Sequence, residues 1–107
     1  MDGQNIKLSE DEIERYLALP EAEGWKREDG KWISRKYRFS SFPKAIAFVN
    51  EVADISERLN HHPFIAIDYK LVTLRITSWH AGGLTALDFT AVAAFNGAFN
   101  DAAGGEG

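Results

Sequence analysis

The run from Glu57 to Asp88, ERLNHHPFIAIDYKLVTLRITSWHAGGLTALD, dictates where one kind of structure must give way to another. A helical pattern runs into His61-His62-Pro63. A proline ring crowds the residue before it and pushes that residue to an extended conformation, so the helix ends at this point. Beyond Pro63 the apolar residues recur at every second place, the period of a strand. The chain therefore contains a helix-to-strand corner that carries two neighbouring imidazoles. The third histidine, His80, lies in the same run. Imidazole changes charge near neutral pH, which makes rings at such a corner candidates for proton transfer.

The elements on either side follow from local signals. Ser9 opens S-E-D-E with Glu12 three places on, a capping box that predicts a short helix over Glu10 to Ala18, ended by Pro20. Trp25 to Phe39 reads as a hairpin about a two-residue Asp29-Gly30 turn. Ile33, Arg35, Tyr37 and Phe39 share the core face, and Trp32, Ser34, Lys36 and Arg38, polar apart from the tryptophan, share the other. A long helix is predicted between Ser40 and Asn60, with Ser41 as N-cap and Pro43 in its first turn. Its apolar stripe is Ala45, Phe48, Val49, Val52, Ile55 and Leu59. Glu57 points near His61, four places on, if that helix persists.

Phe64 to Trp79 changes parity near Asp68 to Leu71, so it reads as two strands joined near Asp68 to Lys70. Carried on to the glycine pair Gly82-Gly83, the second strand would put Trp79 on the polar face with Thr73, Arg75 and Thr77, and His80 on the apolar one. Thr85-Ala-Leu-Asp88 offers another capping pair. The last helix carries Ala91, Val92, Phe95, Ala98 and Phe99, a stripe suited to packing against a partner copy. Residues 1–8 and 101–107 are expected to be loose. This order implies an α+β fold: one antiparallel sheet with helices on one face.

Composition narrows the function classes. At 107 residues the chain is expected to be one domain, with a core modest enough that oligomerisation would add stability. There are no cysteines, which excludes disulfides and thiolate zinc sites. The net charge is -4 without a basic stripe, which argues against direct nucleic-acid binding. No apolar run approaches the roughly 20 residues that span a bilayer. The N-terminal MDGQNIKLSEDE lacks the features of a signal or transit peptide, so a cytoplasmic protein is expected. A metal site would need three or four convergent ligands, and adjacent histidines rarely aim at one ion, so no metal is expected.

The spacing Glu57, His61-His62-Pro63, Tyr69, Trp79, Asp88 resembles the signature of the pterin-4a-carbinolamine dehydratases, and Gly24-Trp25 and Gly83-Leu84-Thr85 fit it too. The resemblance covers about Ile13 to Phe99. It implies a two-layer fold of four strands and three helices, and a homodimer or homotetramer. It implies dehydration of 4a-hydroxytetrahydrobiopterin in tetrahydrobiopterin recycling, a reaction in which no electrons leave and for which no cofactor is expected. By analogy His61 transfers protons, His62 helps to hold the pterin and lends acid help, and Glu57 supports them. Most members have a histidine where this chain has Trp79.

The quieter readings stand beside these. Glu57 alone would be a solvated helix residue. Asp88 belongs to the motif and to the substrate-binding set with Pro63, Thr77 and Trp79, yet it also suits a helix cap. Pro63 shapes the corner. Trp79 is either a wall for a flat bicyclic ligand or a surface filler. His80 reaches the pocket only if a bulge turns it there. Loss of the third histidine also suits a weakly catalytic pterin-binding or protein-assembly module of the same family, with a protein partner.

Overall fold

The structure is a computed structural model that describes residues 6–104. Helix α1 spans Glu10–Leu17, and the capping box forms in full: Glu12 N donates to Ser9 Oγ and Ser9 N to Glu12 Oε1. Those bonds from Ser9 hold the Glu12 carboxyl below its usual range. A 3₁₀ turn at Pro20–Ala22 leads to strand β1, Lys26–Arg27, and strand β2, Ile33–Arg38. Helix α2 spans Phe42–Leu59, strand β3 Phe64–Asp68, strand β4 Leu71–Ile76, and helix α3 Ala86–Gly104.

The four strands form one antiparallel sheet in the order β1-β2-β4-β3. Alternation sorts its two faces. Ile33, Tyr37, Val72, Leu74 and Ile76 are buried on one face against Ala45, Phe48, Val52 and Ile55 of α2 and Ala91, Val92 and Phe95 of α3. Lys36, Arg38 and Phe64 remain exposed. The α+β, two-layer arrangement expected from the element order is the one observed.

A buried polar knot ties the layers together. Asn96 of α3 accepts at Oδ1 from Trp25 Nε1, Arg35 and the Tyr37 hydroxyl, and its amide donates to the Glu21 and Glu23 carbonyls. Polar atoms so buried are nearly always paired in this way. Gly24 is required beside the knot: its φ is 84°, and a Cβ there would come within 2.5 Å of Arg35. Burial pushes the Tyr37 phenol well above its usual range.

Three expectations need correction. The hairpin is not closed by a two-residue turn. Glu28 N donates to Trp32 O at 2.9 Å, leaving the three-residue loop Asp29 to Lys31, because Asp29 Oδ1 accepts from both Lys31 N and Trp32 N. The apolar stripe of α3 is covered by the chain's own sheet and α2 rather than left for a partner: Ala91, Val92 and Phe95 are fully buried, and Phe99 packs on Tyr37, Phe39 and Phe48. Leu8 N donates to Leu84 O at 2.8 Å, and residues 101–104 continue α3, while residues 1–5 and 105–107 lie outside the described residues. Finally, β4 stops at Ile76 rather than at the glycine pair.

Candidate functional site

The corner foreseen at Pro63 is built by a helix-ending motif. Asn60 takes the left-handed conformation, φ 52°, which asparagine tolerates better than most residues. Asn60 N donates to Glu57 O, and His61 N reaches back to Ser56 O at 3.0 Å. This pair of bonds reverses the chain under the end of α2. It splits the two neighbouring imidazoles: the His61 side chain is mostly buried, and the His62 side chain is 54% exposed.

His61 rests on Asp88. Its Nε2 donates to Asp88 Oδ1 across 2.6 Å, and Asp88 has no exposed surface. A carboxylate only accepts, so the proton in this bond sits on the imidazole, leaving Nδ1 as the basic nitrogen. The other carboxylate oxygen, Oδ2, accepts from Ser78 Oγ at 2.7 Å and from Thr85 N at 2.8 Å. Ser78 has one hydroxyl proton, and Asp88 takes it; Thr85 Oγ1 then donates to Ser78 Oγ at 3.0 Å. Thr85 sits just ahead of α3 and Asp88 in its first turn, where the helix dipole favours a negative charge. The carboxylate is thus held at Oδ2 by Ser78 and Thr85 and presents Oδ1 to His61. Such an arrangement fixes both ring orientation and tautomer.

Glu57 serves the other histidine. Its Oε2 lies 2.6 Å from His62 Nε2, not beside His61 as helical spacing suggested. The reason is Asn60: the helix ends there, so the four-residue rule no longer applies at His61.

All three histidines line one open cleft of about 800 Å³, with Leu59, Asn60, Thr77, Ser78, Trp79, Ala81 and Leu87 among its walls. This lies within the range of roughly 300–1,000 Å³ common for small-molecule sites. Because β4 stops early, strand parity does not decide the placement of Trp79 and His80. A 3₁₀ turn at Trp79–Ala81, closed by Gly82 at φ 78°, brings both residues to the cleft. Trp79 is 75% exposed and meets Trp32 edge to face, ring centres 5.5 Å apart. The Thr77 hydroxyl donates to the Lys31 carbonyl, which anchors this wall to the hairpin loop. Pro63 is half-buried and stands outside the lining. Asp88 is likewise outside it, beneath His61 rather than open to a ligand.

Sequence reasoning did not find Ser78. Its partners Thr85 and Asp88 are seven and ten places away, beyond the turn at Trp79–Ala81, so the period of no single element relates them. Among the described residues no group of three His, Cys, Asp or Glu side chains converges to hold a metal ion, and no helix is long and apolar enough to cross a membrane.

Residues 6–98 match the family described as Pterin 4 alpha carbinolamine dehydratase. A protein of Chloroflexus aggregans (strain MD-66 / DSM 9485), provisionally named a pterin-4-alpha-carbinolamine dehydratase, is 43% identical over 90 residues, covering 84% of this chain and 94% of its own. One of the same name from Koribacter versatilis (strain Ellin345) is 47% identical over 75 residues, 70% of this chain and 79% of its own. Among solved structures, a transcriptional coactivator/pterin dehydratase from Brucella melitensis aligns with a TM-score of 0.79 at 31% identity, over 86% of this chain and 97% of that one. A pterin dehydratase-like RuBisCO assembly factor of the α-carboxysome shares the fold, with a TM-score of 0.55 at 22% identity over 72% of this chain and 94% of that one. With its family match across residues 6–98 and relatives above 40% identity along most of their length, the chain belongs to the pterin-4a-carbinolamine dehydratase family.

Proposed function

We propose that this protein dehydrates 4a-hydroxytetrahydrobiopterin to the quinonoid dihydrobiopterin in tetrahydrobiopterin recycling. The observation that carries the reading is His61, fixed by a buried carboxylate, at the wall of a cleft that all three histidines line. The reaction moves two protons and no electrons. An acid protonates the 4a-hydroxyl, the carbon–oxygen bond breaks, water leaves, and a base removes a ring N–H proton. With Nε2–H committed to Asp88, His61 offers Nδ1 as that base. His62, held by Glu57, binds the pterin and supplies the acid when its ring carries both protons. Trp79 and Thr77 form the pocket wall. Pro63 and Asp88, grouped from the sequence with the substrate-binding residues, act instead through the corner and through His61.

His61→Ala should cut dehydration by about 10²–10⁴-fold, the usual contribution of one positioned acid–base group, while the thermal unfolding transition persists. Stopped-flow turnover of 4a-hydroxytetrahydrobiopterin reads this out, and an unchanged rate would end the dehydratase reading.

The exposed Trp79, standing where a third proton-transfer group would be, favours one alternative: a weakly catalytic member that binds a pterin or assembles proteins. A cytoplasmic homodimer or homotetramer belongs to the first reading and a protein partner to the second. The stripe on α3 is taken up by the chain's own core, so a partner would have to meet another surface. Calorimetry with a dihydropterin beside the turnover assay separates the two.

A further inference from the structure

The outer face of the sheet carries a line of side chains that ends at the cleft. Glu28 Oε1 accepts from Arg75 Nε at 2.5 Å. The Arg75 guanidinium lies over the Trp32 ring, 4.6 Å from its centre, and Phe64 flanks the same guanidinium at 5.5 Å. Trp32 then meets Trp79, with ring planes 81° apart. The sheet register sets up this line. Phe64 and Arg75 are paired across β3 and β4, and Glu28 and Trp32 face each other across the hairpin loop.

Trp79 needs such a support. It projects from a three-residue 3₁₀ turn and is 75% exposed, and Trp32 supplies its one ring contact among the described residues. A large side chain left free to rotate must be ordered when a ligand stacks on it, and that ordering subtracts from affinity. A ring held in advance avoids the loss.

We propose that Trp32, clamped by Arg75 and Glu28, is a positioning residue that holds Trp79 as a stacking wall for a flat fused heterocycle in the cleft. The proposal rests on the dehydratase reading, which makes that heterocycle a pterin. Trp32 touches no substrate and moves no proton, so its effect falls on binding and KM rather than on the chemical step.

The test titrates the full chain with 7,8-dihydrobiopterin by calorimetry and follows dehydration by stopped flow. The variants are Trp32→Ala, Trp32→Phe, Arg75→Gln and Trp79→Ala. Trp32→Ala should weaken binding and raise KM about three- to ten-fold with kcat within about two-fold, the size expected from losing one aromatic pair. Trp32→Phe should restore most of the loss, and Arg75→Gln should shift binding in the same direction by less. Combining Trp32→Ala with Trp79→Ala should weaken binding no more than Trp79→Ala alone, because the two act through one contact. If Trp32→Ala does not fold, the Phe and Gln variants still decide: Arg75→Gln binding as tightly as the parent overturns the clamp. Parent-like binding by Trp32→Ala, or additive losses in the double variant, overturns the proposal and leaves the dehydratase reading intact. A parent that neither binds nor dehydrates the pterin overturns that reading and this proposal together.

Discussion

Replacing Asp88 by Asn separates what the buried carboxylate does for the fold from what it does for His61. The two side chains have the same shape, so packing is unchanged. Asp88 takes part in three short bonds, from His61 at 2.6 Å, Ser78 at 2.7 Å and Thr85 N at 2.8 Å. Bonds to a charged group contribute about 1.5–3 kcal/mol each and are roughly twice as strong as neutral ones. Making three of them neutral removes about 2–5 kcal/mol of gross interaction. Against this, a fully buried carboxylate carries a desolvation penalty of several kcal/mol that an amide does not. The two largely cancel, and the net loss of stability should stay within about 2 kcal/mol. The catalytic effect has no such offset. With Oδ2 still accepting from Ser78 and Thr85, the amide nitrogen faces His61 Nε2 and can only donate. The imidazole must move its proton to Nδ1, the nitrogen assigned as base, and the site holds the wrong tautomer. Turnover should fall by about 10²–10⁴-fold, the upper end matching the loss seen when a catalytic triad suffers the same inversion. Urea unfolding and stopped-flow dehydration measure the two quantities on one preparation. Asp88→Asn with the parent's rate and a folded transition would show that the His61–Asp88 couple takes no part in the chemistry. If the variant does not fold, Ser78→Ala tests the same couple, since it removes one donor and leaves the carboxylate in place.

Restoring an imidazole at the departing position should show what the tryptophan costs: Trp79→His is expected to raise kcat at least ten-fold and to raise KM as the stacking wall is lost, and an unchanged kcat would mean that the position has no proton-transfer role. Tyr37 makes stability fall in alkali. Burial raises its phenol above the ordinary 10.0, so beyond pH 10 the unfolded chain releases a proton that the folded chain keeps, and stability drops by up to about 1.4 kcal/mol per pH unit. Urea unfolding between pH 9 and 11.5 should show that slope in the parent and lose it in Tyr37→Phe; parallel curves would refute it.

What the sequence showed and what it hid divide along one physical line. Periodicity and caps report local geometry, so the stripe Phe48, Val52 and Ile55, the Ser9 capping box and the break at Pro63 were all visible. The β3–β4 turn was placed correctly without a glycine because the parity change alone demanded it, and Tyr69 takes the left-handed conformation there, φ 54°. Errors arose where a local period was carried past the residue that ends it. Helical spacing extended beyond Asn60 gave Glu57 to His61 instead of His62. Strand parity extended beyond Ile76 gave Trp79 and His80 opposite faces, although both reach the cleft. A turn dipeptide was read from Asp29-Gly30 without the Asp29 side chain, which competes for the loop's own backbone donors.

The division at Asn60 explains why two adjacent histidines can have different duties. Adjacent residues on a continuing helix would point about 100° apart, and neither would gain a buried partner by that alone. The left-handed residue changes this. It lets His61 N return to Ser56 O, which draws the His61 ring under the helix end, where Asp88 of α3 meets it. His62 is left outside, within reach of Glu57 and of solvent. One ring therefore has a fixed tautomer and a buried counter-charge, as a base with a single defined acceptor requires. The other stays half exposed, open to solvent and to whatever enters the cleft. The dehydration proposed above takes a proton at one atom and gives one at another, and a single backbone conformation sets up two different imidazoles for those two tasks.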